Sequence, residues 1–118
     1  MNVRRGDIYM ADLSTHSTDS VCGVRPVCIV QNNKGNAHSD SYIAAVITSK
    51  PKKYMPTHVR ILSRCGLRKN STVLCEHLVT VRRDMLLSYI GTVINTEDEK
   101  QIDKALEISL QLNKSNRK

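Results

Sequence analysis

The sequence predicts a mostly β (α+β) protein, in which five or six short strands form a curled antiparallel sheet or small barrel and one C-terminal amphipathic helix covers it. Two observations lead to this prediction. Apolar runs of strand length alternate with turn-forming loops along most of the chain, and the hydrophobic period becomes helical only near the end. At 118 residues the chain is most simply one domain, residues 1–118, and we expect a flexible tail at about 114–118.

The predicted strands follow the apolar runs in chain order. They span residues 7–13, 24–31, 41–49, 57–62, 71–81 and 87–94. The first and fourth runs alternate apolar and polar residues, as half-buried strands do, whereas the second and third are continuously apolar and predict strands buried on both faces. The segment "RRDML" predicts a single helical turn before the last strand.

The final segment, "NTEDEKQIDKALEISLQL", has the pattern of a helix. Thr96 is the predicted N-cap, and Glu99 three residues later completes a capping box. Acidic residues fill the first turn, where they interact favourably with the helix dipole. The predicted apolar face consists of Ile102, Ala105, Leu106 and Leu110.

Three loops separate the first strands. Residues 14–23 are small and polar and are longer than most connections, which is more typical of functional loops. Residues 32–40 are rich in Asn and Gly and predict a second loop. Residues 50–56 predict a basic loop with two prolines.

The charge and composition narrow the function classes. Eighteen Lys and Arg against eleven Asp and Glu give a net charge of +7, which favours a polyanionic partner such as nucleic acid. The chain has four Tyr but no Trp or Phe, which disfavours proteins that bind single strands by stacking bases on aromatic residues. No basic amphipathic helix, signal peptide or transmembrane segment is recognisable, so we expect a cytoplasmic protein without a membrane partner.

The cysteines and carboxylates predict no metal site. Cys28 and Cys75 lie in apolar runs and are expected to be buried thiols, and no paired C-x-x-C spacing suggests zinc. The acidic residues are scattered and form no pairs, so they do not suggest two-metal nuclease chemistry. His16 lies in the long loop near the candidate site and His77 lies on a predicted strand next to Glu76, but the histidine spacing does not identify an acid–base pair, and structural roles remain open for both.

Arg25 and Thr48 are the residues whose positions suggest phosphate chemistry. Arg25 begins the second strand after the long loop, and Thr48 and Ser49 end the third strand before the basic loop. A guanidinium binds phosphate through paired donors, and a hydroxyl can complete such a site. From spacing alone, ordinary turn residues at strand ends remain the alternative.

Several segments together resemble the MazF/PemK family of toxin endoribonucleases over roughly residues 3–113. They are "RRGDIYMADLS", "GVRPVCIVQN", "AAVITSK", "MPTHVRI", "STVLCEHLVTV" and "DKALEISLQL". The resemblance implies the small SH3-like barrel of the MazF/PemK/CcdB toxin fold, working as a homodimer. It also implies sequence-specific cleavage of single-stranded RNA to a 2′,3′-cyclic phosphate and a 5′-hydroxyl without metal or other cofactor. Such cleavage inhibits translation and growth, and a MazE-like antitoxin with an acidic C-terminal segment neutralises it.

The resemblance also implies roles for individual residues. Arg25 and Thr48 correspond to the family's catalytic pair. The residues expected to bind substrate are Asp19, Ser20, Ser49, Lys50, Lys53 and His77. Asp19 and Ser20 stand where the family commonly has a Gly-Ser-Glu-like run, and His77 stands where a Gln is usual, so an altered sequence preference is expected.

Two alternatives use the same scaffold without catalysis. The related gyrase-poisoning toxins share the fold but target a protein, and a basic SH3-like module could bind nucleic acid without cutting it. The combination of the G-x-R-P turn with the T-S strand end favours the nuclease, because a gyrase poison does not need it.

Overall fold

The computed structural model describes residues 2–14 and 23–112. The strands are β1 (Asp7–Asp12), β2 (Val24–Ile29), β3 (Ser41–Thr48), β4 (His58–Ile61), β5 (Ser71–Arg82) and β6 (Leu86–Thr92). The helices are α1 (Asn33–His38), α2 (Glu97–Ser109) and the single 3-10 turn Arg83–Met85. The six strands form one sheet in the order β4-β5-β3-β2-β1-β6, and every neighbouring pair is antiparallel. The predicted mostly β architecture is confirmed, and each predicted strand boundary lies within two residues of the observed one.

The sheet is curled but is not closed by hydrogen bonds into a barrel. β4 and β6 are the two edge strands, and the loop at residues 62–70, which follows β4, lies against β6. Gly66 and Gly91 make this contact: a Cβ on Gly66 would overlap the Ile90 carbonyl oxygen, and one on Gly91 would overlap the Cys65 carbonyl oxygen. The gap between the edges is therefore bridged by packed backbone.

Apolar side chains pack on both faces of the sheet, which explains the continuously apolar strands β2 and β3. One core cluster contains Val27 and Val46, and the second contains their neighbours Cys28 and Ala45 together with the buried face of α2. The predicted burial of Cys28 and Cys75 is confirmed. Burial is the main reason why the pKa of each thiol is raised to about 12.

Residues 32–40 were expected to form a loop, but the structure places the short helix α1 there. The Asn32 side chain caps the helix by accepting a hydrogen bond from the Gly35 amide at 2.8 Å. The buried Asn36 donates to the Gln31 carbonyl at 2.9 Å and accepts from the Gln31 side chain at 3.1 Å. Polar contacts rather than an apolar face hold this helix, so hydrophobic periodicity does not reveal it.

The N-terminus of α2 follows the prediction. Thr96 is the N-cap, and its hydroxyl accepts from the Glu99 amide at 3.3 Å. The Glu99 carboxylate accepts from the amide of Asn95, one residue before the cap, at 3.0 Å. The predicted apolar face is buried except for Leu110, which is the C-cap residue and is 52% exposed. Leu110 thus lies beyond the last turn that packs on the sheet.

The long strand β5 contains a wide bulge opposite β3. Ala45 pairs with Leu78 while the next residue, Val46, pairs with Leu74, so three residues of β5 (75–77) have no partner on β3. Such an insertion bends a strand and increases its twist. β5 pairs with β3 on both sides of the bulge, and its first part, residues 71–74, pairs with β4 as well.

Replacing Gly66 with Ala tests the loop contact that bridges the sheet edges. The variant should lose more than 2 kcal/mol of unfolding free energy, because about 1–2 kcal/mol of left-handed strain adds to the overlap with Ile90. Gly23→Ala is the matched control, since Gly23 also has a positive φ (+88°) but no atom of the described residues lies within 4 Å of the added Cβ. Equal urea midpoints for the two variants would show that the contact is unimportant.

Candidate active site

The pairing register of β2 and β3 brings Arg25 and Thr48 together. Val27 pairs with Val46, Cys28 with Ala45 and Ile29 with Ala44. Extending this register by two residues places Arg25 opposite Thr48. Directly opposite residues of antiparallel strands have Cα atoms about 4.5–5.5 Å apart and project to the same face. The two residues singled out by sequence therefore share one end of the sheet.

The backbone around this pair is fixed from both sides. Arg25 pairs with Ala11 on β1, and Thr48 pairs with Thr72 on β5. The observed β2–β3 pairs end at Val27, next to Pro26, which has no amide hydrogen for a ladder. Arg25 is half-buried, whereas Thr48 is only 4% exposed. The Thr48 hydroxyl accepts a hydrogen bond from the Lys50 amide at 3.2 Å, which leaves its own hydrogen available to donate.

Ser49, Lys50 and Lys53 follow Thr48 on an exposed segment without helix or strand. They belong to residues 49–56, which we call the basic loop. Their position beside the Arg25–Thr48 pair agrees with the expected contact to substrate, which stays a prediction. The predicted substrate residues Asp19 and Ser20 lie outside the described residues.

His77 is not brought to the same end of the sheet. It is half-buried in the β5 bulge, opposite the step from Ala45 to Val46. That step lies two to three residues from Thr48, or about 7–10 Å along the strand. Its Nδ1 atom is buried without a hydrogen-bond partner among the described residues. A role for His77 in substrate binding stays a prediction and concerns a different part of the surface.

Glu76, the neighbour of His77, ties the end of the basic loop to β5. Its carboxylate accepts from the Thr57 hydroxyl at 2.9 Å and lies 2.8 Å from His58 Nε2. The Cys75 amide also donates to the Thr57 carbonyl at 2.9 Å. Burial raises the pKa of Glu76, but hydrogen bonds from His58, the backbone and Thr57 outweigh it, so this pKa lies below its usual value. Sequence reasoning missed this cluster, because its members are 18 and 19 residues apart and no local pattern connects them.

A second cluster fixes the loop at residues 62–70. Arg64 donates two hydrogen bonds to Asp98 in the first turn of α2, at 2.8 and 2.7 Å. Asp98 is only 5% exposed. The hydrogen bonds from Arg64 hold the pKa of this carboxyl below its usual value, against the opposing effect of burial.

Two absences concern only the described part of the chain. Among residues 2–14 and 23–112, no three His, Cys, Asp or Glu side chains are grouped as metal ligands. No helix within these residues is long and apolar enough to cross a membrane.

Replacing Glu76 with Ala should lower the free energy of unfolding by about 1–3 kcal/mol, because His58 loses the carboxylate that satisfies its ring nitrogen. Chemical denaturation measures this loss. Glu107→Ala removes the same charge from an exposed position on α2 and serves as the control. A Glu76 variant as stable as the control would contradict the proposed anchoring.

The Arg64–Asp98 pair should make stability depend on pH. The pKa of Asp98 is lowered on folding, so its contribution is full above the unfolded value of about 3.9 and disappears as the pH falls through the folded value. Asp98→Asn should therefore be less stable than wild type at pH 7, and the difference should shrink below about pH 4. Asp84→Asn is the control, because Asp84 forms an exposed ion pair with Arg82. A pH-independent difference for Asp98→Asn would refute the assignment.

Comparison with known proteins identifies the family. A model of the PemK-like, MazF-like toxins of type II toxin–antitoxin systems matches residues 4–110. The endoribonuclease EndoA of Bacillus subtilis (strain 168) is 41% identical over 114 residues, which cover 95% of this chain and 97% of that protein.

Solved structures share the fold over nearly the whole chain. A mycobacterial endoribonuclease in complex with its cognate antitoxin matches with a TM-score of 0.80 at 28% identity, covering 94% of this chain and 97% of that one. MazF of Deinococcus radiodurans matches with a TM-score of 0.80 at 17% identity, covering 94% and 98%. Together with the family match, these similarities show that the chain belongs to the PemK-like, MazF-like toxins of type II toxin–antitoxin systems.

Proposed function

We propose that this toxin is a sequence-specific, metal-independent endoribonuclease whose catalytic residues are Arg25 and Thr48. The observation that supports the proposal is the β2–β3 register, which sets Arg25 opposite Thr48 when it is extended two residues beyond its last observed pair. The B. subtilis relative, at 41% identity, is an endoribonuclease, which supports the same activity here.

The reaction is an internal transfer of the phosphoryl group. The ribose 2′-oxygen attacks the adjacent phosphorus and loses its proton, and the bond from phosphorus to the 5′-oxygen breaks. The leaving 5′-oxygen takes up a proton, so the products are a 2′,3′-cyclic phosphate and a 5′-hydroxyl. Because the 2′-hydroxyl is the nucleophile, DNA is not a substrate.

Arg25 and Thr48 stabilise the charge that develops during this reaction. Negative charge grows on the non-bridging phosphate oxygens, and a guanidinium held by a paired strand meets it without reorganisation. The Thr48 hydroxyl donates a further hydrogen bond while the Lys50 amide fixes its orientation. Arg25 acts as an electrostatic stabiliser rather than as a base, because an arginine stays protonated in proteins.

The remaining predicted contacts complete the proposal. Ser49, Lys50 and Lys53 follow the RNA backbone beside the catalytic pair. Asp19, Ser20 and His77 determine sequence preference.

The proposal extends to partners and location. The mycobacterial relative was solved with its cognate antitoxin. A MazE-like antitoxin with an acidic C-terminal segment would occupy the same cationic surface and exclude RNA. The active form is a homodimer, and exposed apolar residues on the described strands, including Val24 (58%), Leu87 (55%) and Tyr89 (53%), offer surface for it. The enzyme acts on mRNA in the cytoplasm.

Arg25→Ala should slow RNA cleavage by about 100-fold or more, the usual cost of losing one donor to a developing oxyanion. The assay incubates purified protein with mixed-sequence RNA in EDTA and sequences the 5′-hydroxyl ends, which also identifies the recognised motif. Arg82→Ala is the matched control, because it removes the same charge from a residue that pairs with Ser41 at the opposite end of β3.

A rate for Arg25→Ala equal to that of the control would refute the mechanism. Tight RNA binding by the wild type without any cleaved ends would instead support a nucleic-acid-binding module.

A further inference from the structure

A groove lies directly behind the proposed catalytic pair, on the other face of the sheet. Pro26 follows Arg25 and Ser49 follows Thr48, and both line this groove, whose volume is about 330 Å³. Pro26 is a residue of β2, so it projects to the face opposite Arg25, and Ser49 comes directly after the end of β3. A single RNA strand that passes over this end of β2 and β3 therefore meets the Arg25–Thr48 pair on one face and the groove on the other.

The groove combines an apolar floor with a cationic rim. Met10, Pro26, Leu67 and Ile90 supply the floor, and the exposed residues Arg68 and Lys69 stand at the rim. Its volume lies at the lower end of the range of about 300–1,000 Å³ for small-ligand pockets. A nucleobase has an apolar face and is joined to an anionic phosphate, so one nucleotide matches both parts of the groove. A longer acidic peptide would match only the rim.

The wall of the groove is preformed. Gly66 packs directly on the backbone of Ile90 and Gly91, and Arg64 anchors the same loop to Asp98 on α2. The loop therefore holds Leu67 and the two rim cations in place before any ligand binds. A preformed site binds with a smaller entropic cost than one that must be ordered.

We propose that this groove binds the base of a nucleotide adjacent to the scissile phosphate, with Arg68 and Lys69 contacting the other phosphate that flanks this nucleotide, which is not cleaved. The inference rests on the proposed ribonuclease function and adds to it a specificity site. If the groove binds this base, then the recognised sequence includes the identity of one base next to the cleavage site.

The test of the floor uses a short RNA that carries the mapped cleavage motif, together with two RNAs that lack the base immediately 5′ or 3′ of the cut. Removing one of these bases should lower kcat/KM for the wild type by about tenfold, as expected for the loss of one good contact. Met10→Ala should lower kcat/KM for intact RNA several-fold. On the RNA whose missing base lowers the wild-type rate, Met10→Ala should cause no further loss, because the base and Met10 form one contact. Met10 lies in neither core cluster, so the variant should fold. Additive losses would overturn the proposal.

The test of the rim uses the double variant Arg68→Ala/Lys69→Ala. Its KM should rise about tenfold or more while kcat stays within about twofold, because the contacted phosphate is not the reacting one. Lys34→Ala/Lys100→Ala is the control, since it removes the same charge from exposed positions on α1 and α2. An equal rise in KM for the control would show a bulk charge effect and overturn the proposal.

Two further outcomes separate the groove from the function on which it rests. An unchanged KM, together with lost affinity for an acidic peptide, would assign the rim to a protein partner and overturn the proposal. Cleavage by the wild type with no effect of either groove variant would overturn the groove alone. No cleavage of any RNA by the wild type would overturn both this proposal and the proposed function.

Discussion

The pairing of β2 with β3 is the constraint on which the candidate site depends. Arg25 and Thr48 are 23 positions apart in the sequence, so no local pattern connects them. Extending the Val27–Val46 pairing sets them opposite each other, and a shift of one residue would turn one of the two side chains to the other face. The buried apolar residues on both faces of these strands resist such a shift. The same core that stabilises the fold thus determines the geometry of the site.

The sequence was sufficient to predict the strands and the capped helix α2, and it singled out Arg25 and Thr48, whose catalytic role stays a prediction. Each of these has a local signal, such as an apolar run, a capping box or a family motif. The short helix α1 was not predicted, because it has no apolar periodicity. The side-chain amides of Asn32 and Asn36 stabilise it instead. The β5 bulge depends on how two distant strands align, which no local pattern encodes.

The long-range ion pairs show the same limit. Arg64 and Asp98 are 34 residues apart, and Glu76 lies 18 residues from His58. Nothing in the local sequence distinguishes these residues from solvated surface charges. Their partners depend on the tertiary fold.

Two groups among the described basic residues have different surroundings. Arg4, Arg5 and Arg64 form ion pairs with Asp7, Asp103 and Asp98, and they connect loops to the body of the protein. The lysines of the basic loop and the rim cations Arg68 and Lys69 are exposed around one end of the sheet. A net charge of +7 therefore does not describe an evenly basic surface. The first group supports the framework that presents the second group to a polyanion.

The open edge between β4 and β6 has a consequence for how such a toxin can diversify. In a closed barrel, a ladder of backbone hydrogen bonds would join the two edge strands. Substitutions in those strands could then disturb their pairing. Here a loop crosses the gap, anchored by Arg64 and Gly66, and residues 67–70 form no part of any strand. Leu67 packs in the second core cluster, whereas Arg68, Lys69 and Asn70 are exposed, so substitutions at these three positions would leave all strand pairs intact. On the proposed role of the groove, exchange of this short segment between homologues would give enzymes that cut at new sequences without a redesigned scaffold.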